Sequence, residues 1–170
     1  MTIAEFDHLD ITEKRALLHS CCGSNTWVNN MLGALPAEDL VDLLEIAEEQ
    51  WYLCHEPDWQ EAFSQHPKIG NMEIGKEKFA SSAQWAEGEQ ASVKEASEQT
   101  LQQLSTGNQS YEQRFGFIFI VCATGKSADD MLQLLQQRLY NNPEVEIQIA
   151  MEEQLKITKL RLEKLFGITE

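Results

Sequence analysis

Phe115-Gly116-Phe117-Ile118-Phe119-Ile120-Val121-Cys122-Ala123 is the stretch whose reading decides the fold. Gly116 aside, every residue in it is apolar, so it belongs in a core. A run this short has no period that separates a strand from a buried helical segment. It is also the only segment of the chain that reads as a possible strand, and a lone strand has nothing to pair with. The expectation is therefore an all-α fold, a single compact multi-helix domain over residues 1–170.

The flanks support that expectation. Upstream, a long helix is expected from about Ser82 to Leu104, with Gly88 inside it. Gly107-Asn108 should end it, leaving Tyr111 to Arg114 as one extra turn. Downstream, Ser127 caps a helix with Asp129 and Asp130 in its first turn and Met131, Leu132, Leu135 and Leu139 facing inward. Pro143 starts a last helix to about Phe166, with a core stripe of Met151, Leu155, Thr158, Leu162 and Leu165. Nearer the N-terminus, Thr12 and Ser24 read as caps of two short helices. Pro36 opens a third with Leu40, Leu43, Leu44 and Ala47 on one face, and Glu56-Pro57-Asp58 opens a fourth through Phe63. The helical pattern then breaks at His66-Pro67-Lys68-Ile69-Gly70-Asn71, because proline disfavours helical geometry in the residue before it.

Composition narrows the function. A chain of 170 residues buries roughly two-thirds of its unfolded surface, so it needs no disulfide or metal to hold a core. Thirteen basic residues against 28 acidic ones give a formal charge of −15. Such a field repels phosphates and anionic lipid, which argues against nucleic acid and membrane as partners. Cys21, Cys22, Cys54 and Cys122 fit no zinc spacing, even with His19 and His55, so no metal site is expected. They read as reduced thiols, and the longest apolar run is far short of the roughly 20 residues that span a bilayer. With no leader or peroxisomal ending read, the expected location is cytoplasmic. Gly125-Lys126-Ser127 lacks the upstream glycine of a phosphate loop, since position 120 is Ile. No nucleophile elbow or dinucleotide fingerprint is present.

Three polar residues stand out. Glu89 falls between Trp85, Val93 and Ala96 on the apolar face of its expected helix, where an isolated carboxylate costs several kcal/mol, on the order of the charge-burial penalty. A helix rotated slightly, or a structural ion pair, would equally account for it. His66 sits where proline fixes the backbone, and its ordinary pKa of about 6.5 suits proton transfer; a plain surface histidine is the alternative. Arg161 lies at the margin of the last helix's stripe, either snorkelling to solvent or turned towards an anion.

Taken in order, His66-Pro67-Lys68-Ile69-Gly70, then Glu89-Gln90-Ala91, then the run from Tyr111 to Lys126, and finally Lys156-Ile157-Thr158-Lys159-Leu160-Arg161-Leu162 resemble one known family. The chain resembles the OHCU decarboxylases (2-oxo-4-hydroxy-4-carboxy-5-ureidoimidazoline decarboxylases) over about residues 7–166. The resemblance implies an all-helical fold, no cofactor, a small anionic cyclic ureide as substrate, (S)-allantoin as product, and a homodimer. It implies that His66 is the proton donor and Glu89 its acidic partner. It further implies that Pro67, Gln90 and the backbone of Phe119, Ile120, Val121, Cys122 and Ala123 line the pocket, with Arg161 near the substrate. One substrate-side position departs from the pattern: where the family often has serine, this chain has Ala86.

The chemistry suits those residue types. Loss of CO2 leaves an electron pair that the neighbouring C=N can accept, so a proton donor and a carboxylate suffice. Two rival readings are a non-catalytic acidic interaction module and a hydrolase of a related cyclic ureide. The second is disfavoured because the chain lacks the Tyr-Arg-Gly-Ser ending of the transthyretin-like hydrolases.

Overall fold

The computed structural model describes residues 1–69 and 96–167. Among these it has eight helices and no strand: α1 Ile3–Asp7, α2 Ile11–Cys21, α3 Asn25–Ala34, α4 Leu40–Tyr52, α5 Glu56–Ser64, α6 Glu98–Phe115, α7 Ala128–Arg138 and α8 Pro143–Leu165. None of the described helices is long and apolar enough to cross a membrane. The described residues divide between two compact units, Met1–Ala62 with Gln154–Glu170, and Phe63–Glu153.

In the first unit local chemistry sets the helix starts. Thr2 and Glu5 form a reciprocal capping box on α1, and Asp10 and Glu13 form another on α2. Thr12 is therefore inside α2 rather than its cap; Asp10 offers a carboxylate two residues earlier, and Glu13 completes the box. Ser24 caps α3 as expected, accepting from Trp27 N–H. Pro36 does not open α4. It lies in the connection after a cis Leu35–Pro36 peptide, and Asp39 provides the cap. The core is built on Phe6, Leu18, Trp27, Met31, Leu43 and Trp51, all essentially without exposed surface. The one polar atom of Trp27 is matched, its Nε1–H donating to Ala47 O at 3.0 Å.

Cys21, Cys22 and Cys54 are buried in the same unit as free thiols. Burial pushes Cys22 and Cys54 each up to about 12, outweighing the smaller downward pulls that Thr158, Ser24 and Arg161 exert on Cys22.

In the second unit α6 corrects the expected helix boundaries. It begins at the Ser97 cap and runs without interruption through Gly107 and Asn108 to Phe115. Gly107 is an interior glycine kept for packing. A Cβ there would meet Leu135 Cδ2 at 2.6 Å, so its absence lets α6 approach α7 closely. The helix stops about two and a half turns later at Gly116, whose φ of 81° is the left-handed cap that glycine adopts without strain. Tyr111 to Arg114 are thus the last turn of α6, not a separate one. Ser127 caps α7 in a box with Asp130, as expected.

The segment after Gly116 is neither strand nor helix, yet Phe117, Phe119, Ile120, Val121, Cys122 and Ala123 are buried. Its rings gather around Tyr111, with Phe119 at 5.3 Å and Phe117 at 5.8 Å between centroids, both edge-on. Beneath them lies a charged node. Glu146, with no exposed surface, accepts from Tyr111 Oη–H and from Arg138 Nε at 2.7 Å, while its other oxygen accepts from Asn141 Nδ2 at 2.9 Å. Arg138 Nη2 lies 2.6 Å from the same oxygen as Nε and adds an ionic contact without forming a hydrogen bond. Burial, and then the bond to Glu146, push the Tyr111 hydroxyl up, so it stays protonated and donates.

Two stability predictions follow from these cores. Arg138→Met strands a buried carboxylate and should lower unfolding free energy by about 3–5 kcal/mol in urea titrations. Arg138→Met with Glu146→Leu should recover most of that loss. A single-variant loss under about 1 kcal/mol, the size of an exposed pair, would contradict this. The thiols give a pH test. Their folded pKa lies above the ordinary value of 9, so the unfolded chain loses those protons first. Their contribution is complete below pH 9 and falls away as pH rises from 9 towards 12. Native Cys22 and Cys54 should also resist a disulfide-exchange reagent that labels them at once in urea; equal labelling rates would contradict their burial.

Candidate active site

His66 stands just beyond α5, where the helix has ended at Ser64 and the chain bends before Pro67. Its backbone N–H donates to Phe63 O at 3.1 Å. Three contacts hold this turn. The Phe63 ring packs 5.4 Å from that of Phe117. Asn108 Nδ2, buried on α6, donates to Ile69 O at 2.8 Å. Lys68 Nζ pairs with Glu112 Oε2 at 2.7 Å, both side chains roughly two-fifths exposed; such a pair orients more than it stabilises. Pro67 and Ile69 are buried and His66 half-buried. The histidine therefore has a fixed backbone and a half-buried side chain.

The substrate-lining segment predicted from sequence lies in the same unit. Between Phe117 and Cys122 it makes no backbone–backbone hydrogen bond among the described residues. Side chains hold it instead. Arg138 Nη1 donates to Ile120 O at 2.7 Å, Cys122 N–H donates to Glu153 Oε1 at 3.3 Å, and Lys126 Nζ donates to Cys122 O at 2.8 Å. The Arg138 guanidinium also lies 4.5 Å from the Phe119 ring centroid. Buried peptide groups need partners, and here charged side chains supply them without a sheet.

The remaining predicted residues fare differently. Ala86, Glu89 and Gln90 lie outside the described residues, as does the expected start of the helix at Ser82. Arg161 is in the first unit and 3% exposed, which removes the snorkelling alternative. Its Nη1 lies 3.4 Å from Cys21 O and 3.5 Å from Ser20 O. The stripe assigned to α8 was too narrow, because Glu146, Glu153, Gln154 and Arg161 are buried along with the apolar positions. Glu146, Glu153 and Arg161 are seven and then eight residues apart, which at 100° per residue keeps them on one side of a helix. That polar line within an apolar helix was the available signal for Glu146 and Glu153. Arg138 carried none, since it read only as a basic residue in the last turn of α7.

Among the described residues no group of three His, Cys, Asp or Glu is arranged to hold a metal. A surface cavity of about 480 Å³ in the first unit is lined by Asp7, Ile11, Lys14, Leu32, Leu35 and Pro36. It contains none of the predicted site residues. In the second unit His66 is of a residue type suited to proton exchange, and its turn is tied to the buried segment through the Phe63–Phe117 ring contact.

The family model for OHCU decarboxylase matches residues 7–163. The uric acid degradation bifunctional protein TTL of Arabidopsis thaliana is 37% identical over 148 residues, which is 86% of this chain and 45% of that protein, so the chain spans about half the length of this relative. The 2-oxo-4-hydroxy-4-carboxy-5-ureidoimidazoline decarboxylase of Amia calva is 45% identical over 56 residues, about a third of each chain. A crystal structure of an OHCU decarboxylase in the presence of (S)-allantoin superposes with a TM-score of 0.76 at 37% identity, covering 88% of this chain and 96% of that one. An (S)-allantoin synthase at 16% identity, covering 96% of this chain and 54% of that one, shares the fold with a TM-score of 0.72. Matched by the family model over nearly its whole length, this chain belongs to the OHCU decarboxylase family.

Proposed function

We propose that this protein decarboxylates 2-oxo-4-hydroxy-4-carboxy-5-ureidoimidazoline to (S)-allantoin in urate breakdown, without a cofactor, in the cytoplasm and as a homodimer. The observation that carries this reading is the family match across residues 7–163, within which His66 is held by a clamped turn. The bond from ring carbon to carboxylate breaks as CO2 leaves, and its electron pair moves towards the adjacent C=N. The enol that results takes a proton from His66 on one face of the neighbouring carbon. Its hydroxyl proton passes through Glu89 to the former imine nitrogen as the carbonyl forms, so that the one proton consumed for each CO2 released is the one His66 gives. The imine is the electron sink, so the reaction calls for no metal.

Pro67 and Gln90 shape the pocket in this reading, and the backbone from Phe119 to Ala123 lines it. Ala86 leaves the substrate side without the hydroxyl common in the family. Arg161 offsets the substrate's negative charge. Lys68 is the weaker choice for that role because Glu112 already neutralises it.

The test follows freshly generated substrate by absorbance. The wild type should outpace spontaneous decay, and His66→Asn should lose about 10²–10⁴-fold of that acceleration. Glu89→Gln should impair turnover while leaving the melting temperature unchanged or raised. Exhaustive chelation should leave the rate unaltered. A His66→Asn enzyme that turns over at the wild-type rate would end this mechanism.

A further inference from the structure

Arg138 and Glu153 are charged and nearly buried, at 7% and 8% exposure, and they come from different helices, yet both end on the backbone at Ile120–Cys122. We propose that they are positioning residues for this reaction, occupying the carbonyl of Ile120 and the amide of Cys122 so that the peptide groups of Phe119 and Val121 between and beside them are held at a fixed spacing for the substrate's ureide. The inference rests on the reading that this backbone lines the substrate pocket.

Arg138 is unsuited to a direct role. Its charge is committed to Glu146, its Nη1 to Ile120 O, and its face to the Phe119 ring. What it does control is where that carbonyl points. Glu146 in turn fixes Arg138, and Tyr111 and Asn141 fix Glu146. Glu153 acts two residues further on, and Lys126 takes the Cys122 carbonyl. A ureide presents N–H and C=O groups at fixed spacing, so it is recognised only by peptide groups held at matching spacing. A segment with no ladder of its own cannot hold that spacing unaided. Three side chains on the groups of residues 120 and 122 supply what a neighbouring strand would otherwise supply.

Steady-state kinetics of the full chain on freshly generated substrate, with a thermal melt of each variant, test this. Glu153→Asp keeps the charge but withdraws the acceptor by one methylene, and Arg138→Lys keeps the charge but loses the fork. Each should raise KM about tenfold with kcat within about threefold, the signature of lost binding rather than lost chemistry. Glu153→Gln, with an acceptor at the original reach, should return KM to within about threefold of wild type. If Arg138→Lys does not fold, the Asp and Gln variants at position 153 decide. A folded Glu153→Asp with wild-type KM overturns the proposal, and so does a Gln variant as impaired as Asp, since the acceptor would then not matter. A wild type that fails to accelerate decay instead overturns the decarboxylase reading, and this inference with it.

Discussion

A carboxylate with no exposed surface must be matched from every side, and Glu146 is matched by residues from α6, α7 and the turn before α8. Much of the second unit depends on that constraint. Tyr111 meets it from within the aromatic cluster, and Arg138 carries it outward to the Ile120 carbonyl. A buried pair of this kind is poor value as stabilisation, because desolvation offsets most of its attraction. Its contribution is geometric: it sets one arrangement of Arg138, and through it one arrangement of an irregular segment that has no sheet to define it.

Helix starts were legible wherever the cap was purely local. Ser24 and Ser127 cap helices as read from sequence, and Glu56 opens α5. The misplaced starts failed for a common reason, that a stronger acceptor stood nearby: Asp10 before Thr12, and Asp39 after Pro36. Gly107-Asn108 misled because the pair has turn chemistry in isolation. In the fold the glycine admits Leu135 and the asparagine reaches Ile69, both tertiary uses that no local pattern shows. The 115–123 run remained open between strand and helix because its hydrogen-bond partners are side chains distant in sequence.

The same division runs through the site. The fixed backbone at His66 was legible because Pro67 imposes it within one residue. What clamps that turn, Asn108 and Glu112 some forty residues away, was not. The charge of Arg161 was noted but its burial was not, since a marginal position on one stripe gave no sign that α8 buries a polar line as well. Glu89 was singled out by its helical face and by family resemblance, Gln90 by the resemblance alone, and both fall outside the described residues.

Membership of the OHCU decarboxylase family, a histidine on a clamped turn and a buried backbone held by charged side chains all bear on the proposed reaction, whose difficulty is stereochemical rather than electronic. The substrate carries its own electron sink, and spontaneous decay already releases CO2, so a protein earns its place by choosing the face that receives the proton. The most direct measurement is the circular dichroism of the allantoin formed when the wild-type protein meets freshly generated substrate. The expected result is an excess of the (S) enantiomer that decays only as free allantoin racemises. A racemic product from the first time point would contradict it.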